Sequence, residues 1–139
     1  MNKQTDYVLD DQIGYLLRRV TQRHLSIFSE AIPRVTTTQF AVLARLAQLG
    51  PLSQNLLGRE TAMDAATIKG VVDRLARQGL VTTSPDPSDK RRLTVALSPD
   101  GAELFESSRE LALLVSDRTL GPLTDAERLA LIRLLSRLT

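Results

Sequence analysis

Apolar positions recur at the spacing of an α-helix through most of the chain, which predicts a largely helical protein. The first such segment runs from Asp10 to Ile32, and Pro33 ends it. Asp10 and Asp11 stand at its start, where a carboxylate caps a helix and favours its dipole. The pattern therefore predicts one long amphipathic helix near the beginning of the chain.

Three shorter helices are predicted next, each opened by a side chain that accepts a hydrogen bond from a backbone N–H group. Thr36 and Gln39 have the spacing of a capping box, in which each side chain caps the backbone of the other residue. Two of these helices end at a glycine, a residue that readily adopts the conformation found there. Caps included, they run from Thr36 to Gly50, from Ser53 to about Thr61, and from Asp64 to Gly79.

The pattern then changes to two runs rich in β-branched residues, Leu80–Ser84 and Leu93–Leu97. Between them lies a polar, turn-forming segment, Pro85–Arg92, so the stretch predicts a β-hairpin with a long loop. Two further helices are predicted after the hairpin, one from Ser98 to about Arg118 and one opened by a capping box at Thr124 and Glu127.

Two short helices joined by Ala62-Met63-Asp64 and followed by a hairpin describe a winged helix-turn-helix. The expected fold class is therefore mainly α with a small β-hairpin wing (α+β). The winged helix-turn-helix lobe is expected at about 36–98, flanked by helices at about 10–32 and 99–139, in a single domain of residues 1–139.

The fourth predicted helix would be the recognition helix, because its non-buried face is small and basic. Small residues let a backbone approach DNA closely, and lysine or arginine binds guanine edges or phosphates. An ordinary solvated helix face explains the same residues equally well when the helix is taken alone. With Ser53 and Gln54 from the start of the third helix, the expected DNA contacts are Thr67, Lys69, Gly70, Arg74 and Arg77.

The tip of the predicted hairpin is the second basic feature. It carries Asp89-Lys90-Arg91-Arg92, and residues 65–92 as a whole hold six basic and three acidic residues on a chain of net charge +2. A guanidinium in a narrow minor groove meets enhanced negative potential, and Asp89 lies close enough to orient Arg91. A charged, soluble turn is the alternative, which a recognition helix followed by a basic wing makes the weaker account.

These motifs resemble the MarR family of bacterial winged-helix regulators. The resemblance covers nearly the whole chain, and its most specific part is the wing. This sequence departs from the family pattern at Gly70, where many relatives carry Arg, and at Ser98, where they usually carry Thr. The residues that carry it are Thr67-Ile68-Lys69-Gly70-Val71-Val72-Asp73-Arg74-Leu75, Gln78-Gly79-Leu80-Val81, Asp86-Pro87-Ser88-Asp89-Lys90-Arg91-Arg92 and Leu97-Ser98-Pro99-Asp100-Gly101.

The resemblance implies a homodimer in which the first, fifth and sixth helices of two chains interlace as dimerisation helices. It also implies that Arg91 is the minor-groove residue and that Asp89 orients it. The hydrophobic stripe of the last helix supports a dimer independently, although packing of the first helix on the last within one chain is an alternative.

The resemblance further implies a small phenolic or aromatic carboxylic acid as effector, bound between the dimerisation helices and the winged-helix lobe. An acid in an apolar cleft needs a cation or several hydrogen-bond donors. His24, on the apolar stripe of the first helix, is the most distinctive candidate, although such a histidine is more often a hydrogen-bonded core residue. The candidate set comprises Arg18, Arg19, His24, Thr37 and Thr38 as polar groups, with Tyr15, Phe28 and Phe40 as walls.

Composition narrows the function classes. With no cysteine and one histidine, the chain offers no thiol chemistry and no multi-histidine metal centre, and we expect no cofactor. No phosphate-binding glycine loop or serine nucleophile motif occurs, so an enzyme is not expected. The polar N-terminus does not resemble a signal peptide, and the short apolar runs predict a soluble cytoplasmic protein.

The sequence thus predicts a ligand-responsive DNA-binding regulator, a repressor that binds a pseudo-palindromic operator as a homodimer and is released by a small aromatic or heteroaromatic carboxylic acid. The alternative is a winged-helix protein–protein interaction module that docks an acidic partner. Such a module would expose large apolar anchors on the fourth helix, and the sequence places none there.

Overall fold

The computed structural model describes residues 6–139 and confirms the mainly α, winged-helix fold class. The first five residues of the predicted domain lie outside the described range. The helices are α1 (Ile13–Ala31), α2 (Thr37–Leu49), α3 (Gln54–Glu60), α4 (Ala65–Arg77), α5 (Pro99–Thr119) and α6 (Asp125–Arg137). The strands are β1 (Leu52–Ser53), β2 (Val81–Pro85) and β3 (Leu93–Leu97).

Local capping fixes where five of the six helices begin, as the sequence predicts. Both capping boxes are formed: Thr36 Oγ1 accepts from the Gln39 backbone at 3.2 Å, and Gln39 Oε1 accepts from the Thr36 backbone at 2.9 Å. Asp64 Oδ1 accepts from the Thr67 backbone at 2.7 Å, and the hydrogen bonds from Thr67 hold the pKa of Asp64 below its usual value. The capping residues are Thr36, Ser53, Asp64, Ser98 and Thr124.

The start of α1 differs from the prediction. The helix begins at Ile13, not at Asp10, and its N-cap residue Gln12 makes no side-chain capping bond. Asp10 and Asp11 therefore do not cap it. They lie in a separate 3₁₀ turn, Leu9–Asp11, whose backbone closes on itself through a bond from Gln12 N to Leu9 O at 3.0 Å.

The predicted two-stranded hairpin is part of a three-stranded antiparallel sheet with the order β1-β3-β2. The hairpin register runs from Val81 opposite Leu97 to Pro85 opposite Leu93. The third strand, Leu52–Ser53, pairs with the other edge of β3. The element order predicted without it was wrong at this point, because two residues are too few to show an alternating pattern.

The hydrophobic core lies between α2, α3, α4 and the sheet, and side chains from α1 and α5 close it from the other side. The inner face of α4 belongs wholly to this core, which leaves its other face to solvent. The most completely buried side chains are Leu43, Leu57, Ile68, Leu75, Leu80, Val42, Val72, Val95 and Val115.

A close backbone contact joins the start of α5 to the end of α4. Ser98 Oγ donates to Gly79 O at 2.6 Å and accepts from Gly101 N at 3.0 Å, while Ser98 N donates to Leu80 O at 3.1 Å. A Cβ atom on Gly101 would lie 1.9 Å from Leu80 O, so only glycine fits there. The end of α4 is thus tied directly to the first turn of α5.

We predict that Gly101→Ala destabilises the protein by about 1–3 kcal/mol, since the added methyl group forces two backbone segments apart. Gly70→Ala is the matched control, because nothing lies within 4 Å of its Cβ position on the helix. That substitution should raise stability by about 0.5–1 kcal/mol through helix propensity. Thermal denaturation of both variants measures the contrast, and equal unfolding temperatures would contradict the close contact.

Candidate nucleic-acid interface and effector site

The outer face of α4 presents the residues predicted to read DNA. Thr67, Lys69, Arg74 and Arg77 are exposed, and Gly70 is half-buried among them. Lys69 Nζ forms a salt bridge with Asp73 Oδ2 at 2.8 Å, one helical turn away. An exposed pair of this kind is worth only about 0.3–0.5 kcal/mol, so a phosphate or a base can displace Asp73.

The ion pair predicted within the wing is present. Asp89 Oδ1 accepts from Arg91 Nε at 3.2 Å and from the Arg91 backbone N at 3.0 Å. These hydrogen bonds hold the pKa of Asp89 below its usual value. The Arg91 side chain is nevertheless 91% exposed, so it is oriented without being covered.

The backbone of the wing tip is fixed by Asp86, Ser88 and Arg92, which are not among the expected DNA contacts. Asp86 Oδ1 accepts from Ser88 N at 2.8 Å and from Ser88 Oγ at 2.7 Å, and these bonds lower the pKa of Asp86. Asp86 N also donates to Arg92 O at 2.9 Å, which closes the loop. The Asp-Pro-Ser-Asp sequence carries the signal for this turn, since aspartate accepts from a backbone two residues on.

The start of α3 lies beside the wing. Ser53 caps the helix by accepting from Leu56 N at 3.2 Å. Gln54 Oε1 is buried, and it has no hydrogen-bond partner among residues 6–139. One hollow of about 130 Å³ is bordered by the predicted residues Ser53, Gln54 and Arg91, together with Arg92, so the structure brings these three predictions to the same surface.

His24 joins α1 to the end of α5. Its Nδ1 lies 2.8 Å from Thr119 Oγ1, at hydrogen-bond distance. Next to it, Arg23 donates to the backbone carbonyls of Arg118 and Thr119, which caps the C-terminus of α5. His24 is therefore hydrogen-bonded and half-buried, and neither Arg23 nor Thr119 was selected from the sequence.

An aromatic row extends from His24 into the space between α1, α2 and α5. Ring centroids are 6.5 Å apart for His24 and Phe28, 5.8 Å for Phe28 and Phe40, and 5.5 Å for Phe40 and Phe105. The structure thus gathers three of the predicted effector residues, and it adds Phe105. Phe105 lies on α5, far from Phe40 in the sequence, so only the tertiary structure shows that the two rings are neighbours.

Tyr15, Arg18 and Arg19 do not join this group within one chain. Tyr15 precedes Phe28 by thirteen residues on α1, which is about 20 Å along the helix axis. The Arg19 guanidinium instead lies over the Tyr15 ring, 5.9 Å from its centroid. A single pocket holding all the predicted residues is therefore not formed by one chain.

A cavity of about 600 Å³ opens between the second half of α1, the 33–36 turn and the start of α2. Phe28 and Thr37 are the predicted effector residues that line it, whereas Thr38 and His24 do not. Arg34, Gln39 and Gln78 line it as well and were not selected from the sequence.

Large apolar side chains are exposed along α1, α5 and α6. The 13-residue helix α6 buries no residue and makes few contacts with the other elements of its own chain. The exposed residues on these helices are Ile13, Leu16, Leu17, Val20, Leu25, Leu111, Leu113, Leu114, Leu129, Ile132 and Leu134. They form a surface that the single chain leaves uncovered.

The described residues, 6–139, were also searched for a metal site and for a membrane-spanning helix. No group of three metal-ligating side chains occurs in this part of the chain. None of its helices combines the length and the hydropathy needed to cross a membrane.

Comparisons with known proteins agree with the fold. The MarR family matches residues 35–93. The HTH-type transcriptional repressor NicR of Pseudomonas putida is 40% identical over 136 residues, covering 96% of this chain and 86% of that protein.

Two solved structures are closely similar. The crystal structure of a probable transcriptional regulator from Pseudomonas aeruginosa has a TM-score of 0.92 at 49% identity, covering 95% of this chain and 100% of that one. BpsR of Bordetella bronchiseptica, whose DNA binding is regulated by 6-hydroxynicotinic acid, has a TM-score of 0.90 at 40% identity and 96% coverage of each chain.

The resemblance seen in the recognition helix and wing motifs is thereby confirmed along nearly the full chain. The protein belongs to the MarR family of winged-helix transcriptional regulators, which bind DNA and are not enzymes.

Proposed function

We propose that this protein is a repressor that binds a pseudo-palindromic operator as a homodimer and is released by a small aromatic carboxylic acid. The observation that carries the DNA-binding part is the exposed Arg91 guanidinium, which Asp89 orients on a fixed wing. The relative NicR is a repressor, which supports repression over activation. The DNA binding of BpsR is regulated by 6-hydroxynicotinic acid, which supports an aromatic acid as the effector.

In the proposed complex, α4 enters the major groove. Thr67, Lys69 and Gly70, near its start, face the bases, and Arg74 and Arg77 contact bases or phosphates. Ser53 and Gln54 contact the backbone beside the wing, whose Asp89, Lys90 and Arg91 reach the minor groove. The protein would act in the cytoplasm, where the operator DNA is located.

A module that docks an acidic protein is the second candidate, and the surface of α4 argues against it. Every large apolar residue of α4 is buried, and its outer face offers charge and small side chains. Protein interfaces usually place aromatic or aliphatic anchors at their centre. No such anchor stands on this helix, so DNA is the better fit.

The dimer is proposed because α6 exposes its large apolar side chains and buries no residue within the chain. An isolated helix shorter than about 12–15 residues is marginal in water, yet α6 is well formed while Leu129 is 74% exposed. Interlacing α1, α5 and α6 of two chains would cover this surface and leave two lobes, at about 36–98, on one side. The flanking segments at about 10–32 and 99–139 would then be the dimerisation helices of a single domain.

The effector is proposed to bind beside α1, against Phe28 and Phe40, with His24, Thr37 and Thr38 as polar neighbours. Tyr15 lies nine residues before His24, about 180° around the helix at roughly 100° per residue. Tyr15 would therefore join the site only from α1 of the second chain, and we propose that Arg18 and Arg19 join it in the same way, since Arg19 lies over the Tyr15 ring. Such a shared site would make the acid sensitive to how the two chains are arranged.

We predict that Arg91→Ala lowers affinity for an operator selected from random DNA by at least about tenfold, because its minor-groove contact is lost. Asp89→Ala should weaken binding less, since it only orients Arg91. Arg109→Ala, on α5, is a control for the loss of one positive charge. Fluorescence anisotropy measures all three, and a change within about twofold for Arg91→Ala would contradict the wing assignment.

We predict that Leu129→Glu combined with Ile132→Glu produces monomers, since two charges cannot be buried between the helices of a dimer. Arg133→Glu, on the same helix, should leave a dimer. Light scattering coupled to gel filtration reports the mass. On DNA, the dimer should protect two half-sites about 34–36 Å apart, and one half-site bound by a monomer would refute the proposal.

We predict that 6-hydroxynicotinic acid or benzoate binds the protein and that operator DNA weakens this binding. A ligand shifts an equilibrium only through its differential affinity for the two states, so the effect is reciprocal. Calorimetry with and without operator measures it, and equal affinities would refute the switch.

The same titrations locate the effector site. Binding of the acid should be weakened by His24→Ala and by the Arg18→Ala, Arg19→Ala double variant. Arg109→Ala should leave it unchanged. Unchanged binding by both test variants would place the effector elsewhere on the protein.

A further inference from the structure

The buried end of the Gln54 side chain is an acceptor that lacks a donor. Its Oε1 atom is buried and has no hydrogen-bond partner among residues 6–139. An amide oxygen can only accept a hydrogen bond, so the missing partner must be an N–H or O–H group. A buried acceptor that stays unpaired is costly, and such a group is therefore expected in the adjoining hollow.

The register of the sheet explains why Gln54 lies beside the wing. β1 runs antiparallel to β3, with Ser53 opposite Thr94. Gln54 directly follows Ser53, so it comes next to the start of β3, where the wing loop ends. Gln54 and Arg92 accordingly border the same hollow of about 130 Å³.

Arg92 has the donors that Gln54 lacks, because a guanidinium carries several N–H groups in a fixed fork. Within the described residues, this guanidinium forms a single ion pair, from Nε to Asp89 Oδ2 at 3.7 Å, which is too long for a hydrogen bond. Asp89 already accepts from the Nε and the backbone N of Arg91. Releasing Arg92 from Asp89 therefore costs little, since an exposed ion pair of this length contributes little.

We propose that Arg92 fastens the wing to α3, with its guanidinium turned into the hollow and donating to Gln54 Oε1. The bond joins the last residue of the wing loop to the first residue of α3. Arg92 is then a positioning residue, and Arg91 remains the residue of the wing that reaches the minor groove. The Gln54 amide, oriented by this bond, keeps its NH₂ group for the DNA backbone.

The consequence for DNA binding rests on the proposed function. A loop that is already ordered loses less conformational entropy when it meets DNA than a loop that must be ordered there. Fastening the wing to α3 would also fix the distance between Arg91 and the elements that precede the recognition helix. Loss of the bond should therefore weaken DNA binding although no DNA contact is removed.

Hydrogen exchange of the wing amides, followed by NMR on the full-length protein without DNA, tests the contact itself. The backbone N–H groups of Asp86 and Arg92 close the loop by donating to Arg92 O and Asp89 O, both at 2.9 Å. Gln54→Met keeps the length of the side chain and removes the acceptor, so it should speed exchange of both amides at least about tenfold. Arg92→Ala should do the same, and the double variant should add nothing.

A conservative variant separates the hydrogen bond from a general packing role. Gln54→Glu keeps an acceptor oxygen and adds a charge that pairs with Arg92, so exchange should stay at the wild-type rate. Gln48→Met, on α2, is the matched control because Gln48 lines a different hollow, and it should change nothing at the wing. The proposal is overturned by unchanged exchange in Gln54→Met or Arg92→Ala, by additive effects in the double variant, or by equal exchange in Gln54→Glu and Gln54→Met.

Salt dependence of operator binding distinguishes positioning from a direct contact. Arg92→Ala should lower the affinity at least about threefold, while the slope of log affinity against log salt stays that of wild type. A slope shallower by about 0.9 for each Arg92 would make it a phosphate contact and contradict the proposal. The exchange measurement needs no DNA, so a failure of the proposed repressor function leaves it readable. Its own failure leaves that function standing.

Discussion

Burial of the inner face of α4 is the constraint on which the rest of the structure depends. Ile68, Val71, Val72 and Leu75 enter the core, and this fixes the rotation of the helix so that Lys69, Arg74 and Arg77 face outward. The chain then turns at Gly79 and is held by Ser98 and Gly101 at the base of α5. The outer face of α4 is thus positioned by apolar packing, and its basic side chains stay exposed.

The same junction shows how control of DNA binding could reach α4. α5 begins against the end of the recognition helix and ends at His24 and Arg23 of α1. A change in the packing of α1 against the end of α5 would therefore pass to α4 along the 21-residue helix α5, about 30 Å long and hydrogen-bonded to its neighbours at both ends. In the proposed dimer, the uncovered apolar side chains of α1 and α6 would set the spacing of the two lobes, so that no single chain determines it.

Features set by local interactions could be predicted from the sequence. The five helix caps and the Asp89–Arg91 pair each involve residues two or three positions apart, so spacing alone revealed them. Features that depend on tertiary contact could not. β1 has two residues and is defined only by its pairing with β3. Asp10 and Asp11 form a separate 3₁₀ turn before α1, so they do not cap that helix. Phe105 reaches the aromatic row from a part of α5 that carries no local motif.

The dependence of operator affinity on salt tests the central claim most directly. Two chains that each bring Lys69, Arg74, Arg77, Lys90 and Arg91 to DNA release many counterions. The logarithm of affinity should fall linearly with the logarithm of salt concentration, by about 0.9 for each phosphate neutralised. The account predicts a slope of several units that becomes shallower for Arg91→Ala. A slope near zero would contradict it, since the wing and the recognition helix would then not lie against the phosphate backbone.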